Sequence, residues 1–196
     1  MPVDVGATQI GAYHLADNPN LYEVQRDNNF EFIVTGVENL LRVGADESDS
    51  NPYITNAQDI LKFSVNKASI PMFQQEVITI NRGNSVMKAA GRPQFPDGSI
   101  EVHDFIGADT KSVLMSWQNL SYNVETEKVG SMADYKKTCY LQEYTPDYKL
   151  VRTWKMYGCW ISQLSETEFS HESNGKKVIT ATIQYDKAIM ELPDQE

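Results

Sequence analysis

Residues 135–190 read YKKTCYLQEYTPDYKLVRTWKMYGCWISQLSETEFSHESNGKKVITATIQYDKAIM, and the fold turns on this stretch. Tyr135-Lys136-Lys137 leads into two strand-like runs, 138–144 and 149–157. They flank Thr145-Pro146-Asp147, where proline presets the backbone angle of a tight turn. Gly158-Cys159-Trp160 then forms a corner. After a Ser173-Asn174-Gly175 turn the chain alternates strictly, with Ile179, Ala181, Ile183 and Tyr185 set against Val178, Thr180, Thr182 and Gln184. A period of two over that length is the mark of an antiparallel strand with one buried face.

The pattern extends upstream. Val113, Leu114, Trp117 and Leu120 recur at helical spacing behind Asp109 or Thr110 as cap, and the polar run 125–130 ends the helix. One apolar stripe predicts a helix lying flat on a sheet. Before it, 99–105 follows a Pro96-Asp97-Gly98 turn as a strand, and 77–81 and 85–90 flank Arg82-Gly83-Asn84 as a hairpin. Phe63, Val65 and Lys67 would share one face of a strand over 63–70, stopped by Pro71. Residues 21–25 and 29–35 alternate around Arg26-Asp27-Asn28, which predicts a further hairpin. Between 37 and 61 the pattern changes: Val37, Leu40 and Leu41 at helical spacing, an acidic turn-rich run 44–52, then Asn56 capping a short turn with Ile60 and Leu61. That segment reads as a surface excursion inserted into the sheet.

The expected fold is mainly β (α+β), an antiparallel sandwich or barrel with one flanking helix. Residues 1–20 read as an arm, 21–190 as one domain with an inserted region at about 36–60, and 191–196 as a tail. A chain of 196 residues buries roughly 70% of its unfolded surface and needs no staples. No apolar run approaches the ~18 residues of a membrane span. Residues 1–13 lack the basic and apolar regions of a signal peptide, which predicts synthesis and retention in a cytoplasm. Cys139 and Cys159 have no metal-ligand spacing and read as small buried residues in a reducing compartment, with pairing between neighbouring subunits as the alternative.

A net charge of −10, with 27 acids against 17 bases, argues against a nucleic-acid-binding module, which displaces counterions with clustered Lys and Arg. An acidic surface that DNA passes without sticking fits the same charge. Chemistry-bearing constellations are weak. Glu168 and His171 have ligand spacing, yet a di-metal bundle needs two such pairs on long helices. His14, His103 and His171 lie far apart with no adjacent nucleophile. Asp46, Glu47 and Asp49 lack the glycine and distant glutamate of a calcium loop. Gly175-Lys176-Lys177 lacks the upstream glycine of a phosphate loop, and Asn119-Leu120-Ser121 matches a glycosylation acceptor inside a predicted helix. Trp117, Trp154, Trp160, Tyr135, Tyr140, Tyr144 and Tyr157 read as an aromatic seam between helix and sheet. No catalytic, cofactor-binding or metal-binding residue is expected.

An ordered series of segments is similar to the tail tube proteins of contractile, T4-like phages. It runs through Asn20-Leu21-Tyr22-Glu23-Val24, Lys67-Ala68-Ser69-Ile70-Pro71, the helix around Trp117, Tyr135-Lys136-Lys137, the turn at 144–149, Gly158-Cys159-Trp160, Leu164 and the strand 181–185. Residues 36–57 have no counterpart, and Ile161 stands where the family often has proline. The resemblance implies sixfold rings stacked into a hollow tube, each subunit giving strands to an inner barrel. Implied partners are further copies of the chain, tail sheath, baseplate and tail-terminator proteins, a tape measure protein in the lumen before ejection, and passing DNA without specific binding; no membrane is involved. Its place would be the virion tail, assembled in the host cytoplasm. Alternatives are a tube subunit of a related contractile injection system, a terminal or baseplate ring, and, from another class, a ligand-binding β-sandwich using surface aromatics.

Overall fold

The computed structural model describes residues 24–45, 48–171 and 174–193. β1 (Phe30–Thr35) is followed by a helix, α1 (Ala57–Ser64), and by β2 (Val65–Ala68). β3 (Gln74–Arg82) and β4 (Ser85–Gln94) form a hairpin, and β5 (Gly98–His103) leads into α2 (Thr110–Asn119). Two short strands, β6 (Tyr122–Asn123) and β7 (Lys128–Val129), and one helical turn, α3 (Met132–Tyr135), precede β8 (Lys137–Tyr144). β9 (Leu150–Glu166), β10 (Val178–Gln184) and β11 (Lys187–Glu191) complete the chain.

Seven strands make one antiparallel sheet in the order β1-β8-β9-β10-β5-β2, with β11 beside β9. β9 belongs to both halves of it. Residues 153–157 pair with β11, the first part of β9 pairs with β8, and 160–166 pair with β10. The predicted corner is thus a bend inside one 17-residue strand. Gly158 sits at the bend with φ of 69°, a left-handed conformation that L side chains resist. A Cβ there would also overlap the Asp186 carboxylate, which accepts two bonds from Lys136 Nζ at 2.7 and 2.9 Å.

Alternate strand residues supply the core: Phe32 and Val34 from β1, Ile100 and Val102 from β5, Cys139 and Leu141 from β8, and Ile179, Ala181 and Ile183 from β10. α2 lays Val113, Leu114 and Trp117 on this layer as its stripe predicts, and Trp117 Nε1 donates to the Tyr135 carbonyl at 3.2 Å. Asp109 occupies the cap position of α2 in a left-handed conformation, but its side chain caps nothing.

Three expectations are corrected. The segment 37–61 is no surface excursion: Val37, Leu40, Ile54, Ala57 and Leu61 are buried, each of these except the small Ala57 contributing about 1.5–3 kcal/mol when removed from water. Its flanks are tied together by Arg42 N to Pro52 O and Ile54 N to Leu40 O, both at 2.8 Å. A second substantial helix therefore joins the one expected, since α1 extends through Phe63 and Ser64, where Ser64 Oγ meets Thr110 Oγ1 at 3.0 Å. The strand expected over 63–70 shrinks to β2, and Phe63 points outward from the helix. β1 pairs with β8; the hairpin expected with 21–25 falls largely outside the described residues, since 21–23 lie there with the expected arm and the end of the tail, while Gln25 bonds the Tyr144 carbonyl by its side chain.

Candidate assembly surfaces

The residues weighed for chemistry are dispersed. Glu168 and His171 follow β9 in an exposed, irregular stretch, and His103 stands on β5 with its ring edge-on to Phe105. His14, Asp46 and Glu47 lie outside the described residues, and Asp49 lies in an exposed bend. Lys177 pairs with Glu166 at 3.0 Å and covers the Phe169 ring. Asn119 is the last residue of α2. Among the described residues no three His, Cys, Asp or Glu side chains gather as metal ligands. Cys139 and Cys159 are both buried with free thiols, and burial pushes the Cys139 thiol well up, away from the reactive thiolate.

The aromatic residues divide. Trp117 is core, whereas Trp154 bonds Glu143 from a half-buried position and Trp160 packs edge-on against Tyr135. Tyr140 and Tyr157 flank Lys155 on the outer face of the sheet, 5.6 and 5.2 Å from its ammonium, and hold its pKa above the usual value, chiefly through the Tyr157 hydroxyl. The register puts Glu31, Lys155, Lys187 and Glu191 on this same face of β1, β8, β9 and β11. Its charges balance, so the acid excess of the chain lies elsewhere. Behind β9, Lys111 and Lys177 hold the Glu166 carboxyl below the usual carboxylate range and tie α2 to the sheet.

Two features of the sheet stay open. Its end strands β1 and β2 do not join, and between them runs a groove of about 650 Å³ lined by Arg26, Phe30, Lys67, Ile70 and Leu141. Among the described residues the β3–β4 hairpin pairs with nothing but itself. Phe73, Phe95 and Tyr185 stack at its root, and beyond them the ribbon stands clear of the body. Cross-strand pairs assign its faces: Ile78 with Ala89 and Ile80 with Met87 on one, Val77 with Ala90 and Thr79 with Lys88 on the other. Val77, Ile78, Ile80, Val86 and Met87 are 58, 50, 42, 59 and 51% exposed. The Arg82-Gly83-Asn84 turn predicts the hairpin correctly, but alternation gives no sign that both faces are bare.

A two-stranded ribbon with an apolar face is marginal in water alone, and open strand edges invite a partner. That arrangement suits a subunit that is finished by its neighbours. The description "T4-like virus tail tube protein gp19" matches residues 29–188. The chain belongs to that family. The matched span includes the segment 36–57, for which the sequence resemblance offers no counterpart. No curated protein sequence matches the chain. Among solved structures, this family member is similar to a chain of the sheath-tube complex of an extracellular contractile injection system, PVC, in the extended state. The TM-score is 0.61 at 18% identity, over 95% of this chain and 98% of that one. It is also similar to a chain of the PVC sheath/tube terminator, with TM-score 0.59 at 21% identity over 87% and 97%. The tube-terminating cap of the anti-feeding prophage gives 0.59 at 16% over 87% and 93%. At these identities the likeness shows a common fold.

Proposed function

We propose that this tail tube family member is a structural subunit, not an enzyme, whose copies close into rings of six that stack into a hollow tube for DNA ejection. The observation that carries the assembly is the β3–β4 hairpin, an apolar ribbon left uncovered by the described residues of its own chain. Lateral contacts that close make a ring; a second contact that does not close makes a filament. The similar structures come from sheath-tube, terminator, cap and baseplate assemblies, which supports sheath, baseplate and terminator proteins as partners here. A tape measure protein would occupy the lumen before ejection, and DNA would pass afterwards without specific binding. A net charge of −10 supports a lumen that repels phosphates. Assembly in the host cytoplasm and residence in the virion tail follow from that role.

A second reading is the tube of a contractile injection machine, favoured by the machines in which the similar folds occur. Negative-stain electron microscopy of the purified chain across concentration, with and without a crowding agent, tests the tube. Rings or hollow tubes of uniform width are expected. Single 22.2 kDa particles under every condition, also with baseplate components present as a nucleus, overturn it. Particles from the producing cells separate the two readings, since DNA in the assembled particle marks a phage tail.

A further inference from the structure

We propose that the β3–β4 hairpin docks through its basic, apolar ribbon onto the acidic, apolar surface of residues 121–135 on a second copy of this chain. The inference rests on the tube reading and adds which surfaces meet and what charge directs them. Residues 74–94 carry Arg82, Lys88 and Arg92 against the single acid Glu76, in a chain whose total is −10. The hairpin is therefore a basic projection from a body more acidic than the whole chain. Its Ile78, Ile80, Met87 and Ala89 form one continuous apolar face, with Arg82 beside it at the tip.

The 121–135 segment has the opposite character. It carries Glu125, Glu127 and Asp134 against Lys128, and exposes Tyr122, Val124, Val129 and Met132 at 47, 72, 78 and 67%. Its shape is fixed within the chain: Asn123 Oδ1 accepts from the backbone of Glu125 and Thr126, and Gly130 N donates to Ser121 O at 3.0 Å. A preformed surface presenting apolar groups between acids complements a net-basic ribbon whose apolar face ends in Arg82, with Lys88 on its other face. A like pairing, hairpin to hairpin, would set basic tips together and is disfavoured. The contact uses two different surfaces, so it is heterologous and propagates from copy to copy.

Charge reversal tests the docking. Arg82→Glu, at the end of the apolar face, and separately the pair Glu125→Lys and Glu127→Lys, are each expected to weaken self-association at least tenfold, read by sedimentation and microscopy, whereas Lys88→Glu, on the opposite face beside Thr79, is expected to weaken it less. Mixing the first two variants brings the unlike-charged surfaces of the reversed hairpin and the reversed 121–135 segment together and is expected to recover alternating association. Raising salt should weaken wild-type association, since the charges stay near solvent. Unaltered association of both Arg82→Glu and the Glu125→Lys, Glu127→Lys variant, or no recovery when these two are mixed, overturns the docking. Circular dichroism and melting of each variant exclude loss of the fold, and all four positions lie at the surface. Absence of any association by the wild-type chain overturns the tube reading itself, a different result from association that ignores the reversals.

Discussion

The β8–β9 pair and the β3–β4 pair are both long antiparallel ladders with alternating side chains, yet they stand in opposite situations. β8 and β9 bury Cys139, Leu141, Met156 and Cys159 beneath α2 and the facing strands. β3 and β4 bury almost nothing within the chain. Hydrogen-bonded strand structure alone does not explain the stability of either, because a net backbone bond contributes only about 1 kcal/mol and leaves little after ordering the chain. Burial within the subunit stabilises the first ladder. Burial between subunits is what remains for the second.

That contrast breaks first where the body itself is emptied. Leu61→Ala removes a fully buried side chain from the segment that reads as a loop, and about 2–5 kcal/mol of stability is expected to go with it in urea unfolding. A loss below about 0.5 kcal/mol would return 37–61 to the surface. Gly158→Ala acts next, straining the left-handed bend of β9 and displacing Asp186 from its place against Lys136. About 1–3 kcal/mol is expected, with faster amide exchange at 153–160; an unchanged melting curve would mean the strand bends elsewhere. The smallest effect sharpens the comparison most. Ile78→Ser with Ile80→Ser should change monomer stability by less than about 0.5 kcal/mol, since both are exposed, while tube formation falls sharply. Equal losses of stability and assembly would place the hairpin inside the monomer's own fold.

Much of the body was legible because its strands carry period two up to well-marked turns. β8, β10 and the helix around Trp117 follow directly from apolar spacing. The 37–61 segment was not legible, because its acidic, turn-rich middle hides flanks that return to the core on either side. There the deciding contacts, Leu40 with Ile54 and Arg42 with Pro52, are pairings across the loop and not a local period. β11 went unread because Asp186 interrupts the alternation before it, and the partner of β1 lies more than 100 residues away. No chemical site was expected, and the hairpin stands out as a candidate assembly surface only once its surroundings are known. An exposed strand and a buried one spell the same pattern.

The pairing of early strands with late ones has a consequence during synthesis. β1 waits for β8, and β5, which has β2 beside it early, still waits for β10, so the sheet cannot join up until the last third of the chain leaves the ribosome. At about 5–20 residues per second, the first half of the nascent chain spends seconds with β1 and the apolar ribbon of β3–β4 both uncovered. Copies translated side by side on one message are therefore the ones most exposed to premature contact. The C-terminal third sets the moment at which β1 gains its partner, while the ribbon stays open after the fold is complete.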